Sequence, residues 1–152
     1  MEPTEAAILL IALAATWAMT ALIWVIQLVH YPIFDSIDPG EDNQGWIQFA
    51  SRHTSSISIV VGPLMLAEGL TGLWLAVTPP AGVSRVLPIV ALGLMAVAYG
   101  VTVFVSAPIH GQMSQRFDAQ LHHRLVTTNW IRTAAWTTRA CVIFALAYIA
   151  VT

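Results

Sequence analysis

The amino-acid sequence predicts an all-α fold, an integral membrane four-helix bundle with both chain termini on the same side of the membrane. Of the 152 residues, 57% are hydrophobic and only 9% are charged, whereas a soluble domain carries about 25% charged residues. Four apolar runs reach the roughly 20 residues that cross a bilayer as a helix. These runs are continuous rather than alternating, which excludes the strands of a membrane β-barrel.

The four spans follow one another within a single transmembrane domain that covers residues 1–152. They are expected at about residues 6–31, 55–78, 86–109 and 122–151. The first residues are acidic, whereas a signal peptide begins with a basic segment, so span one is expected to belong to the mature protein. Pro32 is expected to end or bend span one, and Asp38–Gly40 and Pro79–Pro80 act as helix breakers between spans.

The connections on the side opposite the termini are not expected to be structureless. Residues 43–53 should extend span two as a helix with Asp42 or Asn43 as its N-cap, and residues 112–124 should extend span four in the same way.

Charge distribution predicts the orientation of the chain. The side opposite the termini carries three arginines and the terminal side carries Arg85 alone. By the positive-inside rule, the side with three arginines is predicted to be cytoplasmic. The expected location is the cell inner (plasma) membrane, which the chain crosses as a multi-pass protein with the lipid bilayer as its first partner.

Several classes of function are excluded by composition. All six basic residues are arginine and no lysine is present, so the chain lacks the basic face of an electrostatic nucleic-acid binder. The single cysteine, Cys141, excludes an internal disulfide framework and a cysteine-based metal knuckle. A Gly-x-Ser-x-Gly motif and a glycine-rich phosphate loop are also absent.

All five histidines are predicted to lie at one membrane face, and each span contributes at least one. Their depths agree within about two helical turns at about 1.5 Å per residue. Metal and cofactor sites in bundles are built from side chains on facing helices, and imidazole binds heme iron, copper, zinc and non-heme iron. The sequence therefore predicts a metal centre, with heme b as first choice and a non-heme copper, iron or zinc ion as second. The alternative is that these are ordinary hydrated interface side chains. The candidate ligands are His30, His53, His110, His122 and His123.

Three charged residues fall inside the apolar zone: Glu68 in span two, and Arg132 and Arg139 in span four. Each would cost about 2.5–3.5 kcal/mol if isolated, so each should face inward and find a partner. Glu68 lies 15 residues beyond His53, and Arg139 lies 17 residues beyond His122. These matched depths predict a Glu68–Arg139 ion pair, with Arg132 as the alternative partner. The pair either takes part in catalysis or only holds the two helices together.

Span four carries more polar residues than packing requires, although threonine-mediated helix contact is an alternative explanation. We expect Asn129, Arg132, Arg139 and Glu68 to be the catalytic candidates. A pocket lined by Gln27, Asn129, Arg132 and Glu68 under the histidine layer would bind a lipophilic substrate or quinone, or relay protons. Further cofactor contacts are expected from Trp136 and, for heme propionates, from Arg116 and Arg124.

One aromatic pattern in span one points away from a cofactor site. Trp17, Trp24 and Tyr31 recur every seven residues, and we interpret them as a packing or lipid-facing stripe rather than a cofactor contact.

Segments in the first half of the chain resemble the first two helices of the HemJ-type protoporphyrinogen oxidases, a family of small four-helix membrane proteins with bound heme b. The resembling segments are Trp24–Pro32 (WVIQLVHYP), Phe49–His53 (FASRH) and Gly62–Leu75. That family relies on an intramembrane lysine, which this chain lacks. The resemblance therefore implies a heme-compatible four-helix scaffold and does not imply protoporphyrinogen oxidation.

Together these patterns predict a membrane-bound oxidoreductase or oxygenase that acts on a lipophilic substrate or quinone beside a histidine-ligated metal. Two alternatives stay open. The chain could be a non-enzymatic accessory or scaffold subunit of a larger membrane complex. It could also be a small transporter subunit, working as a homo-oligomer, that uses the Glu68–Arg139 pair for coupling.

Overall fold

A computed structural model describes residues 2–38 and 42–152, and within them the predicted all-α four-helix bundle is confirmed. Four helices are long and apolar enough to cross a membrane: α1 (Pro3–Ser36), α2 (Gln44–Val77), α3 (Val86–Gln112) and α4 (Ala119–Val151). Pro39 and Gly40 of the predicted helix breaker lie outside the described residues.

Side-chain caps begin two of the four helices, α1 and α4, whereas α2 lacks one. At α1, Pro3 occupies the first helical turn, and Glu2 and Glu5 form a reciprocal capping box. At α4, the Asp118 carboxylate accepts hydrogen bonds from the backbone N–H groups of Gln120 and Leu121, both at 2.9 Å. At α2, Asn43 is the N-cap residue but has a left-handed backbone (φ 56°) and no capping hydrogen bond from its side chain.

The two predicted helical extensions have different outcomes. The extension of span two is confirmed, because α2 begins at Gln44. The extension of span four is confirmed only from Ala119 onward, and residues 113–118 form a non-helical connection. The side chain of Asp118 fixes the start of α4 because it bonds the free backbone donors of the first turn.

The helices α1 and α3 each widen into a five-residue π-helical segment near their histidine. The segments are Ile26–His30 and Thr102–Ser106, and a proline follows each by two residues, Pro32 and Pro108. A proline cannot donate to the carbonyl four residues back and its ring crowds that carbonyl. In both helices that carbonyl lies inside the π-helical segment. Pro32 therefore does not end α1; the helix continues in 3₁₀ form to Ser36.

Two apolar clusters fill the bundle, one toward each end. The first contains Leu9 near the start of α1, Leu146 near the end of α4, and Val83 of the α2–α3 connection. These helix ends therefore lie at the same end of the bundle, as four antiparallel spans require. The second cluster contains Tyr31, Phe34, Trp46 and Met113 and surrounds the histidines at the other end. The membrane side that each end faces stays a prediction.

Candidate functional site

Four histidines, one from each helix, converge at one end of the bundle, as the sequence analysis predicted. His30 Nε2 and His53 Nδ1 are 2.8 Å apart and share a hydrogen bond. The ring centroids of His53 and His110 are 5.1 Å apart. The ring of Phe34 packs against all four imidazoles, with centroid distances from 5.2 to 6.3 Å. We call His30, His53, His110 and His122 the histidine cluster.

Tyr31 contacts two members of the histidine cluster and connects them with the bundle interior. Its hydroxyl lies 3.2 Å from His110 Nε2, and its backbone carbonyl lies 2.8 Å from His122 Nε2. The hydroxyl also interacts with the Arg132 guanidinium. The seven-residue stripe assigned Tyr31 to packing or lipid; the side chain is 3% exposed and packs in the core, and it also belongs to the site. The π-helical segment before Tyr31 changes the helical register, so regular spacing does not give the direction of its side chain. The proline two residues after His30 is the feature of the sequence that indicates this irregularity.

A cavity of about 630 Å³ opens between α2 and α3 beside the histidine cluster. This volume lies in the range of about 300–1,000 Å³ that is typical of small-molecule sites. Its walls combine apolar side chains, among them Ile26, Ile57 and Val61, with hydroxyl groups. The polar side chains along the cavity that carry an acid, base or cation are those of Tyr31, His53, His110 and Arg132.

A second cavity of about 490 Å³ lies against another face of α2. His53 lines both cavities, while His30 lines the second one together with Gln48 and Arg52. Arg52 and Gln48 lie on the outer part of α2, and Arg52 is exposed. The hydrogen-bonded pair His30–His53 therefore connects the surface-side cavity with the larger cavity.

A chain of buried hydrogen bonds runs from α1 to Arg132. Gln27 accepts a hydrogen bond from Asn129 Nδ2 at 2.8 Å, and Asn129 Oδ1 accepts one from Arg132 Nη1 at 2.9 Å. Arg132 Nη1 also lies 3.4 Å from the Ser106 hydroxyl, and its guanidinium stands 5.3 Å from the centroid of the Trp136 ring. The amides of Gln27 and Asn129 thus orient a guanidinium that borders the larger cavity.

The predicted Glu68–Arg139 ion pair is confirmed. Arg139 Nη1 and Glu68 Oε1 are 2.5 Å apart, and both side chains are essentially inaccessible to solvent. The second carboxylate oxygen of Glu68 accepts a hydrogen bond from Trp136 Nε1 at 3.0 Å. Arg139 also donates to Thr16 of α1 and to the carbonyl of Ala91 in α3. The pair therefore joins all four helices.

Of the four residues predicted to line a pocket under the histidine layer, Arg132 does line the larger cavity. Gln27, Asn129 and Glu68 do not line the larger cavity, because the two amides bond each other and Glu68 is held by Arg139 and Trp136. Trp136 is fully buried between Arg132 and Glu68 rather than facing a cofactor.

The remaining predicted cofactor contacts lie on the outside of the protein. Arg116 and Arg124, expected to neutralise propionates at the surface, are exposed and do not line the larger cavity. His123 is also exposed and lies next to His122 on the outward side of α4, so it does not join the histidine cluster.

The donor geometry fits the predicted metals unequally. The rings of His30 and His53 are in direct contact, with centroids 4.7 Å apart, which leaves no space for a porphyrin between them, and Phe34 occupies the centre of the cluster. A heme held between His30 and His53 therefore does not fit. For a tetrahedral ion with metal–nitrogen distances of about 2.0–2.1 Å, two ligand nitrogens are about 3.3 Å apart, so the 2.8 Å between His30 and His53 is close to that spacing. Within residues 2–38 and 42–152, no group of three or more His, Cys, Asp or Glu side chains is arranged to hold a metal ion.

Comparison of the chain with protein-family models, with curated proteins and with solved structures gives no match. The geometry of the histidine cluster and its cavities is therefore the basis for a functional assignment.

Proposed function

We propose that this membrane protein binds a lipophilic molecule of the quinone or phenol class in the larger cavity, as the substrate site of an oxidoreductase. One observation carries the proposal. Two imidazoles, a tyrosine hydroxyl and a guanidinium border a cavity of about 630 Å³ whose other walls are mostly apolar or carry hydroxyl groups, with one amide from Gln115. An oxygen atom of the ligand would accept hydrogen bonds at this polar end, while an apolar tail would lie between α2 and α3. A mostly apolar pocket with a few convergent polar groups is the usual form of such a site.

The histidine pair gives this site a route for protons. Reduction of a quinone to a quinol takes up two electrons and two protons, and the electrons come from a separate reduced redox protein. An imidazole ring accepts a proton at one nitrogen and releases one from the other, so two hydrogen-bonded imidazoles form a path for protons. The pair His30–His53 connects the larger cavity with the second cavity, which borders the exposed Arg52. A proton therefore passes from the surface through His30 to His53 and then to the ligand oxygen.

Binding of a short-chain quinone tests this function. The wild-type protein in phosphatidylcholine nanodiscs should bind decylubiquinone or a menaquinone analogue saturably, measured by quenching of tryptophan fluorescence. His53→Ala and His110→Ala should each weaken binding at least about tenfold, which corresponds to about 1.4 kcal/mol. His123→Ala is the matched control, because His123 is exposed and lies outside the cavity.

Unchanged affinity in both cavity variants would contradict the proposal. That outcome would favour the accessory-subunit alternative, in which the histidines have no ligand role.

A non-heme metal ion at His30 and His53 is a second candidate, and the near-ligand spacing of their two nitrogens favours it. These imidazoles would hold the ion, which would supply Lewis-acid or redox chemistry at the edge of the larger cavity. Elemental analysis of the purified protein tests it. Copper, iron or zinc should be present near one equivalent, should fall in His30→Ala and His53→Ala, and should persist in His123→Ala. Protein without metal that does not take up added zinc or copper would exclude the ion.

A further inference from the structure

Arg132 and Arg139 both lie on α4 inside the membrane span, but their surroundings differ. Arg139 has a carboxylate partner, Glu68, in direct contact. Arg132 is 4% exposed, and within residues 2–38 and 42–152 its guanidinium meets no carboxylate. Its hydrogen-bond partners are neutral, namely the Asn129 amide, the Ser106 hydroxyl and the Tyr31 hydroxyl. Arg132 therefore carries a buried positive charge that side chains of the described chain do not balance.

Arg132 also borders open space. It lines the larger cavity together with Ser106 and His110. Its Nε atom is buried and has no hydrogen-bond partner. A guanidinium has five N–H donors in a fixed planar fork and is always charged in proteins. A buried charge that is not paired is strongly unfavourable unless a partner of opposite charge arrives.

We infer that the larger cavity takes a lipophilic anion whose charge is on oxygen, and that this anion is the counter-ion of Arg132. The inference rests on the proposed function and makes its ligand class more specific: an ionised hydroxyquinone, phenolate or carboxylate with an apolar tail, rather than a neutral quinone. Arginine binds planar oxyanions through paired N–H groups, and a lone oxygen charge accepts from one of them. The imidazoles of His53 and His110 then contact the other oxygens of the same ligand. Asn129 and Gln27 are positioning residues, because they hold the guanidinium without lining the cavity.

Two probes of nearly equal size separate charge from shape. A 2-hydroxy-3-alkyl-1,4-naphthoquinone is ionised at neutral pH, whereas its 2-methoxy analogue cannot ionise. In phosphatidylcholine nanodiscs at neutral pH, the wild-type protein should bind the hydroxy compound at least tenfold more tightly than the methoxy compound. Lowering the pH until the hydroxy compound is protonated should remove that preference without a variant.

Substitution of Arg132 tests whether this residue is responsible for the preference for the anionic probe. Arg132→Gln should abolish the preference for the anion and leave the affinity for the methoxy compound within about threefold. Arg132→Lys should keep part of the preference, because the positive charge remains while the coplanar N–H donors of the guanidinium are lost. His123→Ala should behave as wild type. If Arg132→Gln does not fold, the comparison of the two probes in the wild-type protein still decides the inference.

An anionic lipid headgroup carries the same oxygen charge and is a second source of the counter-ion. Nanodiscs that contain phosphatidylglycerol distinguish the sources: weaker hydroxyquinone binding there means that the lipid competes for Arg132, whereas unchanged binding assigns the site to the free anion. Equal affinity of the wild-type protein for both probes would overturn the anion inference and leave the proposed function standing. Binding of neither probe would overturn the proposed function itself.

Discussion

Replacing Glu68 by alanine should destabilise the bundle more than any single surface change, because it removes the partner of a fully buried charge. Glu68 and Arg139 are both inaccessible to solvent, and their charged atoms are 2.5 Å apart. Removing one member of a buried pair costs about 3–5 kcal/mol, since the other charge is left uncompensated. Trp136 Nε1 also loses its acceptor. The ratio of folded to unfolded protein should therefore fall by roughly 10²- to 10⁴-fold.

The assay is reversible unfolding of the purified protein by sodium dodecyl sulfate in mixed micelles, followed by helical circular dichroism. The double variant Glu68→Met with Arg139→Met should be less destabilised than Glu68→Ala alone, because it buries no uncompensated charge. Arg85→Met, at an exposed arginine, is the matched control and should change stability by less than about 0.5 kcal/mol. A cost below about 1 kcal/mol for Glu68→Ala would refute the reasoning. A double variant that is destabilised as much as Glu68→Ala would refute it as well.

Further predictions concern the helix ends and the histidine end of the bundle. Asp118→Ala removes the side-chain cap of α4 and should lower stability by about 1 kcal/mol in the same unfolding assay; an unchanged midpoint would contradict the capping role. Trp46→Ala empties a site that is 2% exposed and removes a hydrogen bond to the Met113 carbonyl, so a loss of about 3–5 kcal/mol is expected. His30→Ala should leave quinone affinity within about twofold, because His30 does not line the larger cavity, and should slow proton uptake during quinone reduction, measured with a pH indicator. Equal loss of affinity in His30→Ala and His53→Ala would contradict the assignment of separate roles.

The fold followed from the sequence because membrane insertion requires long uninterrupted apolar runs, which composition alone reveals. The Glu68–Arg139 pair also followed, since an isolated charge in an apolar span must find a partner and the two depths match. The convergence of histidines from four helices was predictable for the same geometric reason: antiparallel spans of similar length bring residues of equal depth to one level.

The position of the cavity did not follow from the sequence. Sequence spacing gives the depth of a residue and its helical face, but not which neighbouring helix that face meets. Gln27 and Asn129 were therefore expected to line a pocket, whereas they satisfy each other's hydrogen bonds. Tyr31 was assigned to a packing or lipid-facing stripe rather than to the site because regular helical spacing was assumed, and the π-helical segment Ile26–His30 changes that spacing. The adjacent histidines His122 and His123 have nearly the same depth, so depth could not distinguish them. They point in different directions from α4, and His122 is buried whereas His123 is exposed.

Photoaffinity labelling tests the central claim most directly, namely that a quinone or phenol occupies the cavity between α2 and α3. An azido-naphthoquinone would be irradiated with the wild-type protein in nanodiscs, and the modified peptides would be identified by mass spectrometry. Labels should fall on residues 47–61 of α2 and 102–115 around the end of α3, which line the cavity, and excess unlabelled quinone should suppress them. Labelling that is spread along the lipid-facing surfaces, or that unlabelled quinone does not reduce, would contradict the account.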